Sequence, residues 1–445
     1  MFWRISKKFQ FAADKIIPDS FVFCIVLTLV VFVASFILTD ATSIELATGW
    51  YDGLWSQNSF AFQMSLMVVV CGAAAKSPAI ERLLKRIAKL PRSREIAMIV
   101  LLIFGIVTSI INWAFSLIVT AIFAKEIAKN IKNLHFPLVI AASYSTMLLG
   151  QLWCPNSSVY ALLATENHFM VDTLGIMTQD MTTYTPINTI MFFILAIATI
   201  VVGVLTTPPE NEVVAYMQTT TDAEGEVVPK QINTWADRMN NSSICILIIA
   251  IIGLIFIVNE FIAKGFIGAL SLNFIIFVFI VLNLFLYRKP VDFVEAIGNS
   301  MKPATQIMLQ FPFYGGIMGL MASSGLASIV ATWIIGISTA YTLPLVSYLA
   351  ASVVNLFVPS QGGQWIIQGP ILIEAAKALD AHIPTIINAF SFGDQATNLL
   401  QPLYLIPALS VVNMKLKDVW GFCAFIWIIW TILTCIGFTV LPAIL

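Results

Sequence analysis

From Pro303 to Ile373 the chain runs 71 residues without one charged side chain. No water-facing surface can be built from such a run, because soluble domains are about 25% charged. The rest of the chain agrees: of 445 residues 59% are hydrophobic and 11% charged, with mean hydropathy +0.90. In lipid such a chain satisfies its peptide groups within helices, so an all-α integral membrane protein is expected. The 23 basic and 24 acidic residues leave a net charge of −1, which excludes a nucleic-acid partner. Six cysteines without a C-x-x-C pair, in or beside apolar stretches, read as buried thiols, not as a disulfide scaffold. Three histidines without metal-ligand spacing argue against a zinc enzyme. No Asp-rich motif or Ser/His pair marks a lipid-modifying enzyme, so no enzyme and no cofactor is expected.

Charge-free runs locate the spans. Phe21–Thr39 has 19 residues, enough to cross roughly 30 Å of hydrocarbon. Basic residues precede it and no small-residue cleavage site follows, so it reads as a retained helix. Further single spans fit at Ser59–Ala75, Ile187–Leu205, Ile244–Val258, Gly265–Tyr287, Ala304–Met321 and Trp420–Val440. The stretches at 40–58 and 166–185 read as loops. Ile96–Ala124, with 29 residues, is long for one crossing and too short for two. Phe136–Thr165 has a polar middle and Pro155.

Lysine and arginine favour the cytoplasmic side of short loops. Six clusters (Arg4–Lys15, Lys76–Arg94, Lys125–Lys132, Lys230 with Arg238, Arg288–Lys302, Lys415 with Lys417) hold 21 of the 23 basic residues. Both flanks of Ile96–Ala124 are then cytoplasmic, which makes it a re-entrant hairpin with its tip near Ser109–Phe115. Pro78–Leu90 places Ile80, Leu83, Leu84, Ile87 and Leu90 on one face, as in a helix lying on the membrane surface.

The chain also resembles itself. "SIINWAFS" returns as "SVVNLFVPS", aligning Asn112 with Asn355, and "AKNIKNLHFP" returns as "AKALDAHIP", aligning Pro137 with Pro384. Pro155 and Pro402 each follow 18 residues later. The expected organisation is therefore an inverted repeat of about nine transmembrane helices and two re-entrant hairpins. Residues 1–206 form the first repeat, with hairpin 96–124 and broken helix 136–165. Residues 207–264 hold a cytoplasmic linker and one extra helix. Residues 265–445 form the second repeat, with an apolar element at Leu326–Ile337, hairpin 343–379 and broken helix 384–407. The extra helix inverts the second copy, leaving the N-terminus cytoplasmic and the C-terminus outside. Inverted repeats with broken helices point to a secondary transporter.

Hairpin tips free N–H groups that attract anions and C=O groups that attract cations. The tips mark Ser109, Asn112, Asn355, Ser360, Gln361, Gly362 and Gly363 as substrate-binding candidates, glycine allowing close approach of a carboxylate to backbone. No lysine or arginine sits at mid-span, which favours a small monocarboxylate over a di- or tricarboxylate. Asp394 is the sole charge between His382 and Lys415, and an intramembrane carboxylate is a functional candidate by default. With Thr397, Asn398 and Gln401 it marks the ion-coupling region, where Asp394 and Asn398 could ligate Na⁺ or Asp394 could carry a proton. Glu374, at a hairpin end, should be solvated.

At "NLFVPSQGGQWIIQGP", "INWAFSLIVTAIFAKEIAK", "LQFPFYGGI" and "ATNLLQPLYLIPAL" the chain resembles the bacterial short-chain fatty acid transporter family. The resemblance implies uptake of acetoacetate, butyrate and similar acids across the inner membrane, by a homodimer working as an ion-coupled elevator in lipid. It also implies that Ser360, Gly362, Gly363, Trp365 and Gln368 sit at the substrate tip, and that Asp394 holds an acidic position of the family. Gln361, in place of glycine, and Gly150-Gln151-Leu152-Trp153 depart from the family pattern. A channel-like or uncoupled carboxylate exporter is the alternative.

Overall fold

A computed structural model of the chain describes residues 20–216 and 234–444, apart from 303, 357, 359, 401, 402, 406, 407, 410, 411 and 413. The basic cluster Arg4–Lys15, Lys230, Pro359, Gln401 and Pro402 lie outside the described residues. Among the described residues every regular element is helical. Helices α1 (Ser20–Leu38), α2 (Ser43–Ser56), α3 (Asn58–Ala75) and α4 (Pro78–Ile87) lead into a helical pair, α5 (Arg94–Ile111) and α6 (Trp113–Asn130). Then come α7 (Phe136–Gln151), α8 (Ser158–Leu163) and α9 (Pro186–Leu205). The second half runs through α10 (Ser243–Gly268), α11 (Leu272–Tyr287), α12 (Pro290–Asn299), α13 (Ala304–Ser324) and α14 (Leu326–Ile337). It closes with α15 (Leu343–Asn355), α16 (Gln361–Ala378), α17 (Ile383–Thr397) and α18 (Leu416–Val440). Among the described residues five helical stretches can cross a membrane by length and composition, and α13 with α14, bent by 81°, makes a sixth if counted as one span.

Local chemistry explains the breaks. Asn112 is extended (φ −165°, ψ 131°) and its Oδ1 accepts the Phe115 N–H at 3.0 Å, ending α5 and capping α6 with a single residue. Ser360 does the same for α16, its Oγ accepting the Gly363 N–H at 3.3 Å. Helices α7 and α17 both open with proline in the first turn, Pro137 and Pro384, where the missing N–H costs nothing. Every residue of α7 is buried, and so is all of α17 from Thr385 onward, so these two helices form the centre of the molecule. The Tyr144 hydroxyl joins them by donating to the Asn398 carbonyl at 3.1 Å.

Two elements differ from expectation. The stretch at 40–58 is not a loop: a Thr42–Glu45 capping box starts α2, which continues into α3 as one apolar stretch of 33 residues. Helix α2 packs on α13 through Gly49 and Gly53 against Gly315 and Gly319, two G-x-x-x-G pairs that bring the backbones together. The extra helix does not stop at Val258 and no span starts at Gly265. Gly265, at φ 71°, kinks the last turn of α10, and α11 begins only at Leu272. After α9 the chain turns back under α7, where the Phe136 N–H donates to the Val214 carbonyl at 2.9 Å and the Val214 N–H donates to His135 Nδ1 at 3.0 Å.

A side chain in the α2–α13 seam should be costly. A Cβ on Gly53 would lie 2.3 Å from the Gly315 carbonyl oxygen. Gly53→Val should lower the melting temperature in detergent, consistent with overpacking of about 1–3 kcal/mol. Gly298→Ala, whose Cβ meets nothing within 4 Å, should leave it unchanged. Equal melting of the two variants would refute the seam.

Candidate substrate and coupling site

The two helix breaks are tied to the helices that follow them. Asn112 Nδ2 donates to Asn156 Oδ1 at 2.9 Å, and Asn156 Nδ2 donates to the Ile111 carbonyl at 2.5 Å. Asn355 Nδ2 lies within hydrogen-bond reach of the Asp394 carbonyl (2.7 Å), Thr397 Oγ1 (2.9 Å) and Asn398 Oδ1 (3.0 Å). Both asparagines are fully buried and act as ties between hairpin and core.

Between the breaks lies a cavity of about 20 Å³, room for about one water molecule. The α15–α16 break contributes Ser360 and Gln361, the α5–α6 break contributes Trp113, and the ends of α7 and α17 contribute Gln151 and Gln395. Ser158 and Tyr404 complete the polar lining. Met64 of α3 with Ile307 and Phe311 of α13 add apolar lining. The Gln361 amide is oriented unambiguously. Its Oε1 accepts from Ser157 Oγ at 2.7 Å and from the Val159 N–H at 3.4 Å, a backbone group that can only donate. Gln361 Nε2 is therefore left as a buried donor without a partner among the described residues, as is Trp113 Nε1. Glycine lets the second break fit against the aromatic wall: a Cβ on Gly363 would lie 2.4 Å from the Tyr314 ring, and one on Gly362 2.9 Å from the Phe60 ring.

Asp394 adjoins this cavity through one side chain. Its Oδ2 accepts from Gln395 Nε2 at 2.6 Å, while Oδ1 is buried without a partner among the described residues. Its relative exposure is 0%, and among the described residues no lysine or arginine forms a salt bridge with it. A carboxylate so placed needs a cation or a proton to neutralise it.

The sequence profile of the short chain fatty acid transporter family matches residues 1–441. The chain belongs to this family. Relatives from Escherichia coli (strain K12) and Haemophilus influenzae, both named provisionally as short-chain fatty acid transporters, are each 30% identical, over 95% of this chain and 96% of their own. The crystal structure of the YdaH transporter of Alcanivorax borkumensis, described as having an unusual topology, shares the fold with a TM-score of 0.56 at 14% identity. It covers 95% of this chain and 97% of that one. The protein is thus a multi-pass membrane transporter and not an enzyme.

In this family member the sequence candidates divide into two groups. Ser360 and Gln361 line the cavity, with Gly362 and Gly363 packed beside it. Ser109, Asn112, Asn355, Trp365 and Gln368 are not among its lining residues. Ser109 sits where α5 crosses Gly150 of α7, Trp365 packs edge-on against Phe390 (4.9 Å), and Gln368 accepts from Gln364 at 2.6 Å. Thr397 and Asn398 turn their side-chain oxygens to Asn355 rather than to the Asp394 carboxylate. Among the described residues no group of three or more His, Cys, Asp or Glu side chains gathers. Glu374 is exposed, as expected, and accepts from Ser328 Oγ at 3.3 Å. Sequence reasoning did not single out Met64, Ile307, Phe311, Gln395 or Tyr404. The polar centre of α17 could have indicated Gln395, whereas nothing marked the cavity-facing positions of α3 and α13.

Proposed function

We propose that the transporter carries short-chain fatty acids or related small monocarboxylates, of the acetoacetate or butyrate type, across the bacterial inner membrane. Transport is secondary active and coupled to H⁺ or Na⁺. One observation carries this reading: a buried cavity where two helix breaks meet, lined by unpaired N–H donors and by apolar side chains, with no basic residue in its lining. Neutral donors of that kind suit one carboxylate, and the apolar side chains suit a short alkyl tail. Asp394, one hydrogen bond from the cavity, serves as the coupling residue. Helix breaks at the aligned residues Asn112 and Asn355, and the matching prolines at Pro137 and Pro384, support an inverted repeat with re-entrant hairpins at 96–124 and 343–379. On this reading the N-terminus is cytoplasmic and the C-terminus periplasmic.

A cavity that holds about one water does not admit a four-carbon acid, so the breaks must part from α3 and α13 during transport. That supports elevator-type movement, with the first two spans of each repeat as the fixed, dimerising part of a homodimer. The test is uptake of labelled butyrate into proteoliposomes under an imposed pH gradient, an imposed Na⁺ gradient, or neither. Accumulation above equilibrium under one gradient is expected. Equal flux in all three conditions would replace the symporter with an uncoupled carrier.

A further inference from the structure

We infer that Phe311, backed by Met64 and Ile307, sets the length of acid the transporter accepts, with the carboxylate end turned toward Trp113 Nε1 and Gln361 Nε2. The inference rests on the substrate site proposed above. The lining of the cavity is of two kinds, and they differ in the one respect a fatty acid can read. Trp113 and Gln361 bring buried N–H groups without a partner among the described residues, which an anionic or carbonyl oxygen would satisfy. Met64, Ile307 and Phe311 offer no hydrogen-bond donor, so they receive methylene and methyl groups and reject a second carboxylate.

Phe311 is built as a stop. Its ring lies 5.5 Å from Phe60 and 6.1 Å from Tyr314, and both neighbours are themselves braced. Phe60 abuts Gly362, and the Tyr314 hydroxyl donates to Gln310 Oε1 at 3.1 Å. The ring is 3% exposed and packed against Phe60 and Tyr314, so it closes the apolar part of the cavity in this state. The stop and the donors also lie on different elements. Phe311 belongs to α13, whereas Trp113 and Gln361 open α6 and α16 at the breaks. Head recognition and tail length should therefore vary independently on mutation.

The experiment measures uptake of acetate, butyrate, hexanoate and succinate by proteoliposomes holding the wild-type chain, Phe311→Ala, Phe311→Leu or Gln361→Leu. One misplaced methylene in an apolar pocket changes selection by roughly 10–200-fold. Phe311→Ala should raise the hexanoate-to-butyrate ratio by at least roughly tenfold, and Phe311→Leu should raise it in the same direction. Gln361→Leu should slow all the monocarboxylates together and leave their ratios unchanged. Succinate should be refused throughout. An unchanged ratio in a Phe311 variant that still takes up butyrate would overturn the inference, and Phe311→Leu provides this comparison where Phe311→Ala fails to fold. A wild-type chain that takes up none of the acids would instead overturn the proposed function.

Discussion

Asp394→Asn is expected to fold, to exchange substrate across the membrane, and to lose all accumulation driven by an ion gradient. The buried carboxylate carries an uncompensated charge whose desolvation costs several kcal/mol unless a cation or proton accompanies it. The only donor to it among the described residues is the amide of Gln395. That cost is what can link ion occupancy to helix movement, because the loaded state is neutral and the empty state is not. Asparagine keeps the shape and removes the charge, so the variant has no state that depends on the ion. Internal and external butyrate should equalise under either gradient. Ser360→Ala is the contrast. It removes a cavity hydroxyl and the cap on α16, worth about 1 kcal/mol, and should weaken apparent affinity while accumulation persists at saturating substrate. Wild-type accumulation by Asp394→Asn would make Asp394 structural and move the coupling site elsewhere.

Joining α3 to the α16 break should stop transport altogether. Gly362 faces the Phe60 ring so closely that Phe60→Cys with Gly362→Cys places two thiols in the space the ring leaves. The exposed native thiol, Cys245, would be replaced by serine so that the introduced pair forms the accessible cross-link. Oxidation should abolish butyrate uptake and reduction should restore it, because alternating access by rigid-body movement requires this contact to break. Butyrate binding should be lost with it, because the closed cavity holds about one water and admits a four-carbon acid only when the break parts from α3. Full uptake by completely cross-linked protein would mean that α3 and the α16 break travel together, and the elevator reading would be wrong.

The breaks at the site were legible in the sequence because charge and capping chemistry mark them. Ile96–Ala124 stands out because Glu95 and Lys125 bound it, and the α5–α6 break falls at Asn112, inside the expected tip. Asp394 stands out as a lone charge in an apolar run, and the structure buries it completely. Signals of this kind are local: a charge needs water or a partner, and an asparagine or serine can end a helix within one residue. Helix α2 was missed because Asp52 and its polar neighbours look like a loop, and its reason for being helical is the glycine seam with α13, far away in sequence.

The wall of the cavity was hidden for a more general reason. A water-soluble helix advertises its buried face by contrast with its polar one, but in α3 and α13 both lipid and protein accept the same apolar side chains. Nothing in the order of residues tells Phe311, which faces the cavity, from Met308 and Leu309, which are exposed on the same helix. Sequence alone therefore determined that this chain lives in a membrane, that a helix breaks near Asn112, and that Asp394 is a lone charge in an apolar run. Which apolar side chains meet the helix breaks was decided only by tertiary packing, because that choice depends on the shapes of partner helices and not on the solubility of any one residue.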